Sequence, residues 1–140
     1  LAPNTGAAYI KFLPRTADDY ATVSAAAVLT LDKAKKTIAD VRIALGSVGV
    51  TPIRATAAED LLRGQPLKAE AFAAAGEKAK AAVDPVSDFR GSAAYKKDMA
   101  AVFVRRALEK ALADIRQQAK ARPAPKPAKR KIVRKKGKRR

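Results

Sequence analysis

The chain contains no cysteine and no histidine. Without cysteine there is no disulfide, no iron–sulfur ligation and no thiol nucleophile. Without histidine the usual zinc sites and every histidine-based triad are excluded. Methionine occurs once, at Met99, and aromatic residues make up only 5% of the chain. No apolar run approaches the ~20 residues of a membrane-spanning helix. Runs such as Ala25–Leu29 are also too short for a signal-peptide core. Nothing marks secretion, so a cytoplasmic location is the simplest expectation. A glycine-rich phosphate loop is missing too. Gly46-Ser47-Val48-Gly49 is followed by Thr51-Pro52 rather than by a helix, which reads as a turn and not as a dinucleotide fingerprint.

What is present is 140 residues with a net charge of +17. Residues 120–140 hold twelve Lys and Arg and no acid, whereas residues 1–119 carry a net charge of +5. The excess therefore belongs to a tail and not to the fold. From 119 on, repeated proline and then near-continuous charge predict disorder. The chain opens on Leu1 with a loop-like composition. This suggests a processed product, a non-standard start or, most simply, a piece cut within a linker that survives as residues 1–7.

Between these ends, strands come before helices. Residues 8–15 read as a short or edge strand, with Tyr9, Lys11 and Leu13 facing one way and Ile10 and Phe12 the other; Pro14 limits its pairing. Over 20–31, Ala21, Val23, Ala25, Ala27, Leu29 and Leu31 make one wholly apolar face. After a charged turn at 32–36, Thr37, Ala39, Val41, Ile43 and Leu45 alternate with more polar positions, completing an antiparallel hairpin. Thr56-Ala57-Ala58-Glu59 has capping-box spacing before a short helix that stops at Gly64. Residues 68–83 are alanine-rich and helical. A last, longest helix opens at Ser92 or Ala93, with Met99, Val102, Phe103, Leu108, Leu112 and Ile115 as its apolar stripe. The order predicts an α+β fold: a small three-stranded antiparallel sheet packed against a helical bundle, over residues 8–118, with a disordered basic C-terminal tail over 119–140.

Few residues invite a catalytic reading. Asp18-Asp19 sits in a turn, and Glu59-Asp60 sits in a first helical turn, where acids favour the dipole. Neither pair converges on a point as an acid–base dyad must. Ser24, Ser47, Ser87 and Ser92 have no histidine to activate them. A basic tail of this kind can bind phosphates without sequence preference by counterion release, can equally dock on anionic lipid or an acidic protein, or can be a solvated appendage with only incidental nucleic-acid affinity. It has no aromatic residue for base stacking.

The stretch Asp84-Pro-Val-Ser-Asp-Phe-Arg-Gly-Ser-Ala-Ala-Tyr-Lys-Lys-Asp-Met-Ala-Ala-Val-Phe-Val-Arg-Arg-Ala-Leu108 resembles the C-terminal segment of flavoprotein subunits of molybdenum hydroxylases. That group includes aerobic carbon monoxide dehydrogenase and xanthine dehydrogenase. Three further stretches agree in order. Residues 8–12 resemble the Tyr-x-Lys-Phe opening strand, residues 20–26 the next strand, and residues 43–55 the strand–turn–helix after it. The resemblance covers roughly residues 8–113.

It implies the same three-stranded sheet and helical bundle, and an oxidoreductase role. Such subunits hold FAD and take electrons from an iron–sulfur small subunit. They pass them to an external acceptor, while substrate is hydroxylated on a molybdenum-binding large subunit. The two glycine-rich flavin elements of the family lie in domains preceding this one and are absent here. This chain alone is therefore expected neither to bind FAD nor to turn over substrate. Residue by residue, the resemblance carries cofactor contact only to Tyr9 and Lys11, with no catalytic or metal ligand. Arg90, Tyr95, Arg105 and Arg106 lie in the densest motif, but the simpler reading is structural. Arg90 pairs near the helix start, Tyr95 packs the bundle, and the last two are surface or subunit-contact charges. The rival expectations are a small nucleic-acid-associated protein acting through its tail and a stand-alone assembly module.

Overall fold

The computed structural model describes residues 1–13, 15–16 and 19–121. Four strands, β1 (Thr5–Phe12), β2 (Val23–Leu31), β3 (Ile38–Gly46) and β4 (Ile53–Arg54), form one antiparallel sheet in the order β1-β2-β3-β4. Three helices follow: α1 (Thr56–Leu62), α2 (Ala69–Ala79), extended by a 3₁₀ turn at Lys80–Ala82, and α3 (Ala93–Ala121). The fold is α+β as expected, with the sheet's other face uncovered among the described residues. α3 lies along β1 and β2, α1 lies on β3, and α2 packs on α1 and α3.

The apolar face predicted for β2 is the centre of the core: Val23, Ala25, Ala27, Leu29 and Leu31 are all buried, with Ala21 just before them. α3 answers with Ala100, Val104, Ala107, Leu108, Ala111 and Ile115. Met99, Val102 and Leu112 of the expected stripe are only partly buried. Alanines rather than large residues fill the middle of the stripe, so helix and sheet approach closely. A Cβ at Gly6 would stand 2.2 Å from the Ala111 carbonyl oxygen. Helices α2 and α3 cross just as closely, since a Cβ at Gly76 would stand 2.5 Å from the Ala101 carbonyl oxygen.

Several boundaries differ from expectation. β1 begins at Thr5, not at residue 8, because Gly6 docks on α3 and the Thr5 hydroxyl meets that of Thr30 at 3.0 Å. β4 adds a fourth strand whose two residues are too few to show a period. The β2–β3 register shifts at Thr30/Leu31. This bulge reverses the alternation at its end, so that Ile38 is buried and Ala39 exposed, the opposite of the predicted phase. α3 runs on to Ala121, and the tail expected to be disordered lies, beyond that residue, outside the described residues. No helix among the described residues is long and apolar enough to cross a membrane.

Candidate functional site

Tyr9 and Lys11 stand on the bare face of β1, an edge strand, with the Tyr9 ring 61% exposed. The strand phase read from the sequence holds: Ile10 and Phe12 turn inward against the core, and Phe12 stacks on Phe103 with ring centroids 5.0 Å apart. Pairing places Tyr9, Ala26, Ala44 and Arg54 in one row across the four strands. That row spans about 14 Å at ~4.8 Å per strand. The next row is Lys11, Ser24 and Gly46, and on the other side lie Ala7, Val28 and Arg42. The middle of this face is a shallow depression of about 210 Å³ over Ala26, Val28 and Ala44, flanked by Arg42 and Arg54. It offers a small-residue floor with an aromatic ring on one rim and guanidinium groups on the other.

Beside this face lies a buried carboxylate held by two arginines. Glu59 is 1% exposed, yet its carboxylate is fully partnered. Oε1 accepts from Arg54 Nε at 2.8 Å and from the Ile43 amide at 2.9 Å. Oε2 accepts from Arg54 Nη2 at 2.9 Å and Arg63 Nη2 at 3.2 Å. Burial pushes the Glu59 pKa up, but the hydrogen bonds from Arg54, the Ile43 amide and Arg63, with the Arg54 charge, outweigh it, and the net direction is down. Arg63 also reaches Asp40, Asp60 and the Val41 carbonyl oxygen. The predicted capping box does not form. Ala55 precedes α1 with no side-chain cap, because two guanidinium groups and a strand amide hold the Glu59 carboxylate against the sheet.

A second cluster forms where three loops meet at one end of the sheet. Residues 19–22 lead into β2, residues 46–50 leave β3, and residues 84–92 lead into α3. They surround a cavity of about 380 Å³ lined by Tyr20, Ser47, Val50, Val86, Arg90 and Lys96, among others. Lys96 is 4% exposed, and its Nζ donates to the Val86 carbonyl oxygen at 2.7 Å and pairs with Asp88 Oδ2 at 2.8 Å. Lys96, and then the Arg90 amide, hold the Asp88 carboxyl below its ordinary value. The Arg90 guanidinium lies 4.3 Å from the centre of the Phe89 ring and 5.7 Å from that of Tyr20. Ser87 Oγ and Ser92 Oγ accept from the Ala93 and Tyr95 amides, fastening the start of α3.

Arg90 thus pairs near the helix start, as expected, and Arg105 and Arg106 are exposed. Tyr95 does not pack the bundle. It is 42% exposed, with its ring against Gly91, where a Cβ would stand 2.8 Å from Tyr95 Cδ1. Asp19 accepts from the Thr16 amide and pairs with Arg15; Asp18 lies outside the described residues. Gly46–Gly49 is a turn, with Ser24 Oγ in the space over Gly46. No group of three or more acidic residues among the described residues could hold a metal ion. The carboxylates of these two clusters, Glu59 and Asp88, are each paired with cations. Sequence reasoning missed two features. The Glu59 network left a signal in the i, i+4 spacing of Glu59 and Arg63. The Tyr20–Arg90 stack joins residues seventy positions apart and left none.

Residues 8–111 match the family described as the CO dehydrogenase flavoprotein C-terminal domain. The chain is 40% identical over 112 residues to the carbon monoxide dehydrogenase medium chain of Hydrogenophaga pseudoflava, covering 80% of this chain and 38% of that one. It is 28% identical over 110 residues to a putative xanthine dehydrogenase FAD-binding subunit of Escherichia coli, covering 79% and 37%. A solved carbon monoxide dehydrogenase from Hydrogenophaga pseudoflava, lacking the Mo-pyranopterin moiety of its cofactor, superposes with a TM-score of 0.76 at 42% identity. That match covers 81% of this chain and 39% of that one. The chain therefore spans less than two-fifths of the length of these relatives.

Proposed function

The chain belongs to the CO dehydrogenase flavoprotein C-terminal domain family, and from that premise we propose that it serves an FAD-binding electron-transfer subunit of a molybdenum hydroxylase. In this reading the complete subunit takes electrons from an iron–sulfur small subunit and passes them through FAD to an external acceptor. A molybdenum-binding large subunit carries out substrate oxidation, and the assembly is cytoplasmic. The observation that carries the reading is the joint match of sequence and fold over nearly all the described residues.

The residues present do not make a flavin site by themselves. Neither glycine-rich element is in the sequence, Ser24 stands over Gly46 and Ile53 over Gly49, and the sheet face is too shallow to enclose a dinucleotide. The chain alone neither binds FAD nor turns over. Within the complete subunit, Tyr9 and Lys11 approach the flavin from the bare face of β1. The exposure of Tyr9 on that face supports the assignment. A nucleic-acid role for residues 120–140 has no support in the family match.

Two experiments test this. Sequencing the coding DNA upstream of the Leu1 codon is expected to find an open frame of roughly two domains with two glycine-rich flavin elements. A start signal at Leu1, with no such polypeptide encoded nearby, would remove the flavin role. In the complete assembly, Tyr9→Ala is expected to lower flavin retention without changing the circular dichroism of the chain. Unchanged retention and unchanged flavin reoxidation would withdraw Tyr9 as a contact.

A further inference from the structure

The fold places a positive pole at the end of the sheet where β1 begins. The β2–β3 turn lies there beside the last turns of α3: Lys35, Ile115, Gln118 and Ala121 line one cavity of about 480 Å³ with Asn4 and its neighbours. Five cations stand at this end, Lys33, Lys35 and Lys36 from the turn and Arg116 and Lys120 from α3, and all are exposed. None of the five has an ion pair among the described residues. The acids nearby are engaged by amides instead. Asp32 accepts from the Lys36 and Thr37 amides at 2.7 and 3.1 Å. The Lys35 amide donates to the Asp32 carbonyl oxygen at 3.0 Å, so the turn that carries the lysines is fixed. Asp114 accepts from the Ala7 amide and from the Gln118 side chain.

Cations in a last helical turn suit the helix dipole, but that effect ends within the turn and does not reach the β2–β3 turn. The sequence continues from Ala121 with eleven Lys and Arg and no acid over residues 122–140. Like charges gathered on a fold and in the chain that leaves it repel one another, and a polyanion relieves that repulsion. We propose that this pole, continued by residues 122–140, binds the phosphate backbone of duplex nucleic acid without sequence preference. Neutralising closely spaced phosphates releases condensed counterions, which drives such binding without contacts to the bases. From Arg116 on the sequence has no aromatic residue, and Ile132 and Val133 are its only large apolar ones. Base stacking is therefore lacking, and so are the aromatic anchors of a membrane-surface segment. The proposal adds to the electron-transfer reading and does not depend on it.

The test is binding of the full chain to two DNA duplexes of unrelated sequence, followed by fluorescence anisotropy as salt is raised. The log–log slope of affinity against salt is expected at about −6 or steeper, with the two duplexes bound equally. Replacing the turn lysines together, Lys33→Gln, Lys35→Asn and Lys36→Gln, is expected to make that slope shallower by about three and to leave the melting temperature unchanged. Asparagine suits position 35 because φ there is +56°, a conformation it tolerates. An unchanged slope in this variant overturns the pole as a site, whatever residues 122–140 do. A full-chain slope shallower than about −6, or a preference for one duplex, overturns backbone binding. Tighter binding at the same salt to phosphatidylcholine vesicles containing phosphatidylglycerol than to either duplex overturns it in favour of an anionic lipid surface.

Discussion

Along β3, beyond the two residues of β4, the outward backbone groups are met one by one from the α1 segment. Ile43 O accepts from the Ala55 amide, Ile43 N donates to Glu59, Val41 O accepts from Arg63, and Ile38 pairs with Gly64 and Gln65. Along β1, at the opposite edge, the Ala7 amide donates to Asp114, and Tyr9 stands exposed beyond it. An unpaired strand edge is a template for further pairing. This chain closes one edge with a buried carboxylate and two arginines, and guards the other with one surface aspartate. The difference separates an edge that is part of the fold from one that only borders it.

The largest test of that contrast is Glu59→Ala. It leaves the Ile43 amide and two guanidinium groups without their buried acceptor, and about 3–5 kcal/mol of stability is expected to go. Denaturant unfolding measures it, and a loss below about 1 kcal/mol would mean water replaces the carboxylate at no cost. The same group sets an acid dependence. Its pKa is lowered on folding, so its stabilisation is full above the ordinary carboxylate value and drains as pH falls through the lowered one. Wild type is therefore expected to lose stability more steeply than Glu59→Gln below about pH 4.5, with the two curves converging in strong acid. Parallel curves would show that Glu59 is not the titrating group.

At the other edge, Gly6→Val drives a side chain into the Ala111 backbone and Ile115. A loss of about 1–3 kcal/mol is expected, read by thermal melts; no loss would mean β1 can lift from α3. The smallest effect is Asp114→Ala. It is expected to cost about 0.5–1 kcal/mol, the net value of one hydrogen bond, and to speed hydrogen exchange at the Ala7 amide. Unchanged exchange at Ala7 would show that the edge needs no guard.

The burial pattern of β2 was legible from the sequence because a strand flanked on both sides expresses its period without interruption. β3 was legible only up to the bulge, since an extra residue reverses the phase and leaves no mark in composition. Glu59 was misread because Thr56 and Glu59 have the spacing of a cap. The competing partners, Arg54, Arg63 and the Ile43 amide, come together only once α1 lies on β3. The placement of Tyr9 and Lys11 on one face followed from strand alternation alone. The cluster at Tyr20, Phe89 and Arg90 could not have been read, because nothing local links a loop before β2 to one before α3.

The missing Cβ at Gly76 has a consequence in time. α2 is 11 residues long with a glycine inside it, below the length at which an isolated helix holds in water. It leans on α1 and on the close crossing with α3, which is synthesised after it. A growing chain is therefore expected to leave α2 incompletely held until the last helix has emerged. Pulsed hydrogen exchange during refolding reads that order: α2 amides protected ahead of those of α3 would contradict it. A valine at position 76 would make the two helices part company at the moment they should first meet.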